Sequence, residues 1–170
     1  MADRVWLVVL TVLFALSMYA LMLKGWRSRQ RRQSDLPAPP ALPADPGAVV
    51  VGATPGLFVG TVYAGEWLNR VAVHQLSDRA TGWVSVRADG VLLDRESVGP
   101  LWLPWSALVD VELGDALAGK VVGREGMLVL TWRLGARELQ SGFRADDHSA
   151  HRRLVDAVRA CLPVHLEEST

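Results

Sequence analysis

The stretch WVSVRADGVLLDR, residues 83–95, indicates the fold most clearly. Apolar and polar side chains alternate over residues 83–87, which is typical of a half-buried strand. Asp89-Gly90 is a two-residue sequence that favours a tight hairpin turn, and residues 91–93 resume an apolar run. The stretch therefore predicts two antiparallel strands joined at Asp89 and Gly90.

Further strand patterns lie on both sides of this hairpin. Residues 66–76 fit a short helical face and also an alternating strand, so their type is left open. Short apolar or alternating runs that predict strands occupy residues 57–63, 101–103, 108–113, 127–132 and 138–143.

One amphipathic helix is predicted at the C-terminal side. Asp146 or Asp147 can cap it, Pro163 ends it, and apolar residues recur at helical spacing between them. The fold class expected for residues 57–163 is therefore α+β, a partly open barrel of about seven strands closed by a C-terminal α-helix. Residues 164–170 are expected to form a tail.

The N-terminal part of the chain predicts one transmembrane helix. From Val5 to Leu23 the sequence has no charge, proline or glycine. A helix of this length spans roughly 28 Å, close to the thickness of a hydrocarbon core. Trp6 and Trp26 suit the two interfacial belts. A cleaved signal peptide is disfavoured because no small-x-small cleavage site precedes the basic residues that follow.

Residues 24–33 form a basic juxtamembrane segment. Five cations follow the apolar run, whereas residues 1–4 contain one, so the positive-inside rule predicts an extracytoplasmic N-terminus and a cytoplasmic C-terminal domain at the plasma membrane. The same cations could attract anionic lipid headgroups, but topology alone explains them. They are Lys24, Arg27, Arg29, Arg31 and Arg32.

Residues 34–56 are predicted to be a linker. They contain six prolines and almost no charge, a composition that favours an extended, semi-rigid stalk. A proline motif that binds an aromatic-lined groove is the alternative interpretation. A spacer is preferred, because residues that would specify such a groove do not flank the prolines.

Composition excludes several functions. Cys161 is the only cysteine, so an intrachain disulfide is impossible. From residue 57 onward the sequence has 12 Lys and Arg and 15 Asp and Glu, which argues against nucleic-acid binding.

His148 and His151, with Asp146 and Asp147, could form a weak metal site, but a solvated helix start is the preferred interpretation. No metal or cofactor is predicted.

Six segments point to a family: GTVYAGEW (60–67), ADGVLLDR (88–95), LWLPWSAL (101–108), ALAGKVVG (116–123), LVLTW (128–132) and SGFRADD (141–147). Through these segments the chain resembles the small PH-like membrane proteins of actinobacteria, which have been loosely labelled transporters or export proteins. The resemblance covers nearly the whole chain and implies a PH-like fold and a membrane location more firmly than an activity.

Catalytic motifs are not found, so the protein is not expected to be an enzyme. Gly119 and Lys120 lie in AGKVVG, which lacks the GxxxxGK[ST] order of a phosphate loop and predicts a turn. Gly142, Phe143 and Arg144 are interpreted as fold determinants. Transport by this chain alone is excluded as a hypothesis, because one helix without a polar face cannot enclose a pathway.

Binding is the remaining function. The sequence predicts a membrane-tethered scaffold that docks another protein, with Trp102 and Trp105 as the candidate partner patch, although at least one of them could be core packing. The alternatives are an anionic-lipid sensor and an accessory subunit of a membrane transport or envelope complex. Lipid recognition has weak support, because Arg70 and Arg79 are the only cations between residues 57 and 82.

Overall fold

The computed structural model describes residues 2–32, 36–114, 116–117, 120–121 and 126–162. The chain divides into two compact units, with a boundary between Asp35 and Leu36.

The first unit is a single helix, α1, from Ala2 to Arg32. Its segment Trp6–Gly25 has a mean hydropathy of 2.3 and is long and apolar enough to span a membrane. The hydroxyls of Thr11 and Ser17 donate to carbonyl groups of their own helix, at 2.8 and 2.7 Å, so these polar side chains need no outside partner. The helix extends beyond the predicted span because the arginines, lysine and glutamine that follow are good helix formers.

The described residues of the second unit form ten strands and one helix. The C-terminal helix α2 runs from His148 to Cys161 and is capped by Asp147, whose side chain accepts from the backbone N–H of Ser149. The strands are β1 (Val49–Tyr63), β2 (Glu66–Arg70), β3 (Ala80–Arg87), β4 (Gly90–Arg95), β5 (Leu101–Pro104), β6 (Leu108–Gly114), β7 (Ala116–Leu117), β8 (Lys120–Val121), β9 (Met127–Leu134) and β10 (Arg137–Ala145).

Eight of these strands form one antiparallel sheet. Its order is β5-β4-β3-β1-β10-β9-β6, with β2 paired to β1, while β7 and β8 form a separate ladder. A flat sheet would separate β5 from β6 by six strand spacings, roughly 29 Å. Residues 105–107 join these two strands and reach at most about 15 Å. The sheet therefore curls until its end strands approach each other, and the predicted fold class is confirmed.

The predicted linker over 34–56 holds only in part, because residues 37–48 form neither helix nor strand whereas residues 49–56 lie in strand β1. Leu36 is buried in the core, and β1 begins at Val49, where it pairs with Arg87. The first half of β1 pairs only with β3, and its register shifts twice before Thr54. The apolar run 48–51 indicates a possible strand in the sequence, which the glycines and prolines on both sides disfavour. The register shifts make the rest of the strand hard to predict, because each shift interrupts the alternation of side chains.

The β3–β4 hairpin forms as predicted, but its turn lies one residue earlier. Arg87 pairs with Gly90, so the two turn residues are Ala88 and Asp89. Gly90 is instead the first residue of β4, where an added Cβ would collide with the carbonyl of Leu103 on β5. Glycine is therefore needed here for close strand packing and not for the turn itself.

The core lies inside the curled sheet and under α2. Helix α2 buries Leu154, Val155 and Val158 against it. A second cluster is formed by Val59, Val62, Leu117, Met127 and Val129. Gly142 allows this packing, because an added Cβ would lie 2.6 Å from Leu117 Cδ2 and 2.7 Å from Met127 Sδ.

The segment 66–76, whose type the sequence left open, is strand β2 followed by an irregular loop. This loop is held by the buried Arg95, whose Nη1 donates to Gln75 O at 2.9 Å and whose Nε donates to Gly99 O at 3.0 Å. The guanidinium also lies 5.0 Å from the centre of the Phe58 ring. Burial lowers the pKa of Arg95, and the negative charge of Asp78 acts in the opposite direction.

Candidate functional site

Of the two residues in the predicted partner patch, Trp102 is buried and Trp105 is half-buried. Trp102 is only 4% exposed, and its ring packs where Gly90 leaves room for it. Trp105 is half-buried and donates from Nε1 to the carbonyl of Ala88 at 2.7 Å. Trp102 therefore belongs to the packing of β5 against β4, which is the core-packing alternative for at least one of the two residues, while a partner patch that includes Trp105 stays a prediction.

A different tryptophan lies on the outer surface of the sheet. Trp83 on β3 is 40% exposed, while its neighbours Val84 and Val86 are fully buried in the core. Trp83 is cross-strand to Asp94 on β4 and to Pro55 on β1. Directly paired side chains in an antiparallel ladder lie about 4.5–5.5 Å apart at Cβ, so these three residues form one continuous surface.

Two carboxylates border one side of this tryptophan. Asp94 is exposed, and so is Glu96, which accepts a 2.5 Å hydrogen bond from the hydroxyl of Thr81. On the other side, Leu57 of β1 pairs with Thr81. We call the set Trp83, Asp94, Glu96, Pro55 and Leu57 the Trp83 surface.

The Trp83 surface is chemically suited to a cationic side chain. An indole face attracts a lysine or arginine cation, and a neighbouring carboxylate can accept its N–H groups. Pro55 and Leu57 add an apolar border on which the methylene stem of such a side chain can lie. The arrangement is suited to binding a partner.

Sequence reasoning missed Trp83 although a signal was present. In an alternating strand Trp83 lies on the same face as Ser85 and Arg87, whereas Val84 and Val86 lie on the other face. An aromatic residue on the polar face of an alternating strand is the pattern of an exposed anchor. Trp102 gave no comparable signal, because its strand is apolar at Leu101, Trp102 and Leu103.

Comparison with known families assigns the fold. Residues 36–159 match the family described as bacterial PH domain-like. The chain belongs to the bacterial PH domain-like family. The match begins at Leu36, the first described residue of the second unit, so the proline-rich segment after Leu36 is part of the PH-like domain. A search of curated proteins finds no match.

PH-like domains are generally non-catalytic binding modules, and they typically bind lipids or proteins. The geometry of the Trp83 surface is consistent with this class, because its groups can hold a ligand by stacking, charge and apolar contact. The family thus supports a binding function at the level of the domain, while the partner is a separate question.

The predicted solvated helix start holds for His148, which is exposed, but not for His151, which is buried and structural. His151 is 2% exposed, accepts from the Ala145 N–H at Nε2 (3.0 Å) and donates from Nδ1 to His148 O (3.1 Å). Burial is the main cause that lowers the pKa of His151, and the positive charge of Arg144 lowers it further. Both ring nitrogens are occupied, so the neutral imidazole acts as a core bridge between β10 and α2.

A cavity of about 280 Å³ lies beside this histidine pair, lined by Leu113, His148, Ser149, His151 and Arg152. Among the residues that the structure describes, no group of three His, Cys, Asp or Glu could hold a metal ion. The cavity borders the first turn of α2, and Asp147 already caps that turn.

The structure describes some of the predicted membrane-anchor and basic residues. Trp6 is exposed on α1, as is Lys24, and Leu23 is half-buried. The predicted tail over 164–170, Gly119 and the side chain of Lys120 lie outside the described residues. So do the side chains of Val5, Trp26, Arg27, Arg29, Arg31 and Arg32.

Proposed function

We propose that this chain is a single-pass membrane protein whose PH-like domain is a non-enzymatic, protein-binding scaffold on the cytoplasmic side. Helix α1 supports attachment to a membrane. Its apolar side chains are exposed from Trp6 to Met22, so the helix would be insoluble in water. The excess of cations after Leu23 supports a cytoplasmic domain and an extracytoplasmic N-terminus.

The observation that carries the binding function is the exposure of Trp83 beside Asp94. Large aromatic residues are enriched at the centres of protein interfaces. The two carboxylates at positions 94 and 96 make a basic segment of another protein the partner that fits. Such a domain could serve as an accessory subunit of a membrane transport or envelope complex.

Anionic-lipid sensing is the second candidate, and the Trp83 surface argues against it. Asp94 and Glu96 would be repelled by anionic headgroups, which reduces the attraction that lysine and arginine provide at a membrane surface. The basic residues after the apolar run remain available for lipid contact, but they lie outside the PH-like domain.

The test is photo-crosslinking of the full-length chain in its own membranes, with the reactive side chain introduced at Thr81. We expect a protein crosslinked through a lysine- or arginine-rich segment, and we expect Trp83→Ala to reduce the yield about tenfold. Leu68→Ala is the matched control, because Leu68 is also a large exposed apolar residue, 66% exposed, but lies on β2.

Two results would contradict the proposal. One is an undiminished crosslink in Trp83→Ala, which would exclude the Trp83 surface as the interface. The other is salt-sensitive binding of the full-length chain to vesicles rich in anionic lipid, unaffected by Asp94→Lys and accompanied by no protein crosslink. That result would favour the lipid-sensing function.

A further inference from the structure

Prolines recur at every third position in the segment between the core residue Leu36 and strand β1. Pro37, Pro40, Pro43 and Pro46 have this spacing. A polyproline helix has three residues per turn, so residues three apart lie on one edge. The neighbouring edge carries the small residues Ala38, Ala41, Ala44 and Gly47, and the third carries Pro39, Leu42 and Asp45.

The backbone of this segment is restricted before any partner arrives. Proline fixes its own φ and excludes the helical region for the residue before it. The structure assigns neither helix nor strand to residues 37–48. Between residues 37 and 46, eight of ten are restricted in one of these ways: Pro37, Ala38, Pro39, Pro40, Leu42, Pro43, Asp45 and Pro46.

Contacts at both ends fix the segment on the domain. At the start, Leu36 is buried, its carbonyl bonds His74 Nε2 at 2.9 Å, and Pro37 packs against Gly135. At the end, the carbonyl of Ala48 accepts from the backbone N–H of Ala88 at 2.8 Å. The segment therefore runs from the β9–β10 turn to the β3–β4 turn as part of the folded unit.

Most of the segment faces solvent. In the row of every-third prolines Pro37, Pro40 and Pro43 are exposed and Pro46 is half-buried, and Pro39 on another edge is also half-buried. The only charge between residues 37 and 46 is that of Asp45. The row of every-third prolines therefore presents an uncharged, ridged surface to solvent at its centre.

We propose that residues 37–46 are a preformed polyproline ligand that docks in an aromatic-lined groove of a partner protein. Aromatic grooves recognise this geometry because the flat rings pack against proline rings spaced one turn apart. A segment already held extended loses less conformational entropy on binding than a free peptide, which favours association. The inference deepens the proposed function by adding a second, chemically different docking element to the same domain.

The experiment uses the full-length chain in its membranes with a photo-reactive side chain at Ala41, and a parallel sample with that side chain at Thr81. Crosslinked peptides are sequenced to locate the contact on the partner. We expect the Ala41 probe to label residues that line an aromatic groove. Pro40→Ala and Pro43→Ala should each lower that yield at least tenfold.

Pro39→Ala is the matched control, since it removes the same chemical group from a half-buried position outside the row of every-third prolines. Thermal unfolding of each variant verifies that the domain remains folded. Retained labelling in Pro39→Ala supports the proposal, whereas equal loss in all three variants overturns it by showing that stiffness alone matters.

The two probes separate this inference from the proposed function. Labelling from Thr81 without labelling from Ala41 overturns the polyproline ligand and leaves the Trp83 surface intact. Labelling from Ala41 of lipid, or of a protein site without aromatic residues, also overturns it. If neither probe captures a protein, both proposals fail.

Discussion

Trp132 on β9 donates a 2.9 Å hydrogen bond from Nε1 to the hydroxyl oxygen of Ser141 on β10. Ser141 is in turn 2.8 Å from the hydroxyl of Thr61 on β1. All three side chains are at most 1% exposed. Since Ser141 accepts from the indole, its own proton is free to bond Thr61, and three adjacent strands share one buried polar chain.

Ser141→Ala should destabilise the domain by about 2 kcal/mol, because it leaves the buried Trp132 N–H and Thr61 hydroxyl without their partner. Chemical unfolding of the detergent-solubilised full chain measures this. Trp132→Phe removes the donor, so the double variant should lose less than the sum of the single losses. Strictly additive losses would show that the hydrogen bond contributes little.

His151 should make stability depend on pH. Burial holds its pKa below the unfolded value, so the unfolded chain binds the proton more readily. Stability should therefore be unaffected by His151 above about pH 6.5, the ordinary histidine pKa, and should fall as the pH decreases below it. Protonation would also remove the acceptor for the Ala145 N–H.

Melting temperatures of the full-length chain between pH 5 and pH 8 test this dependence. His151→Gln can keep an acceptor for Ala145 without titrating, and it should flatten the slope. His148→Gln should change the slope less, because the exposed His148 lowers the pKa of His151 only through its charge. A slope that persists in His151→Gln would assign the pH dependence to other groups.

Gly90→Ala should lower the free energy of unfolding by about 1–3 kcal/mol or more, because the new Cβ would collide with the Leu103 carbonyl and with the Trp102 ring. Gly52→Ala is the comparison, since nothing lies within 4 Å of a Cβ there. Equal unfolding midpoints for the two variants would contradict the close approach of β4 and β5.

Arg95→Met should destabilise the domain by roughly 3 kcal/mol, because the carbonyls of Gln75 and Gly99 lose a charged donor. Arg133→Ala should cost less than about 1 kcal/mol, since its ion pair with Glu138 is exposed. Denaturant titration of both variants gives the comparison, and a smaller loss for Arg95→Met than for Arg133→Ala would refute the bridging role.

The sequence predicted most of the fold because the central strands alternate and α2 has a strong apolar face. It failed at the start of the domain, where prolines resemble a linker and only tertiary contact shows that Leu36 is buried. It also did not separate the buried Trp102 from the exposed Trp83. Trp102 is buried because Gly90 on a neighbouring strand leaves room for its ring, and such a cross-strand pairing cannot be read from local pattern.

The pairing of β1 with β10 also has consequences during synthesis. Gly56 pairs with Ala145, which leaves the ribosome 89 residues later. At about 5–20 residues per second, translation of that interval takes roughly 4–18 seconds. During this time one edge of β1 has no native neighbour, while α1 has already been made. A nascent chain of this protein therefore passes through a period in which chaperone contact or aggregation competes with completion of the sheet.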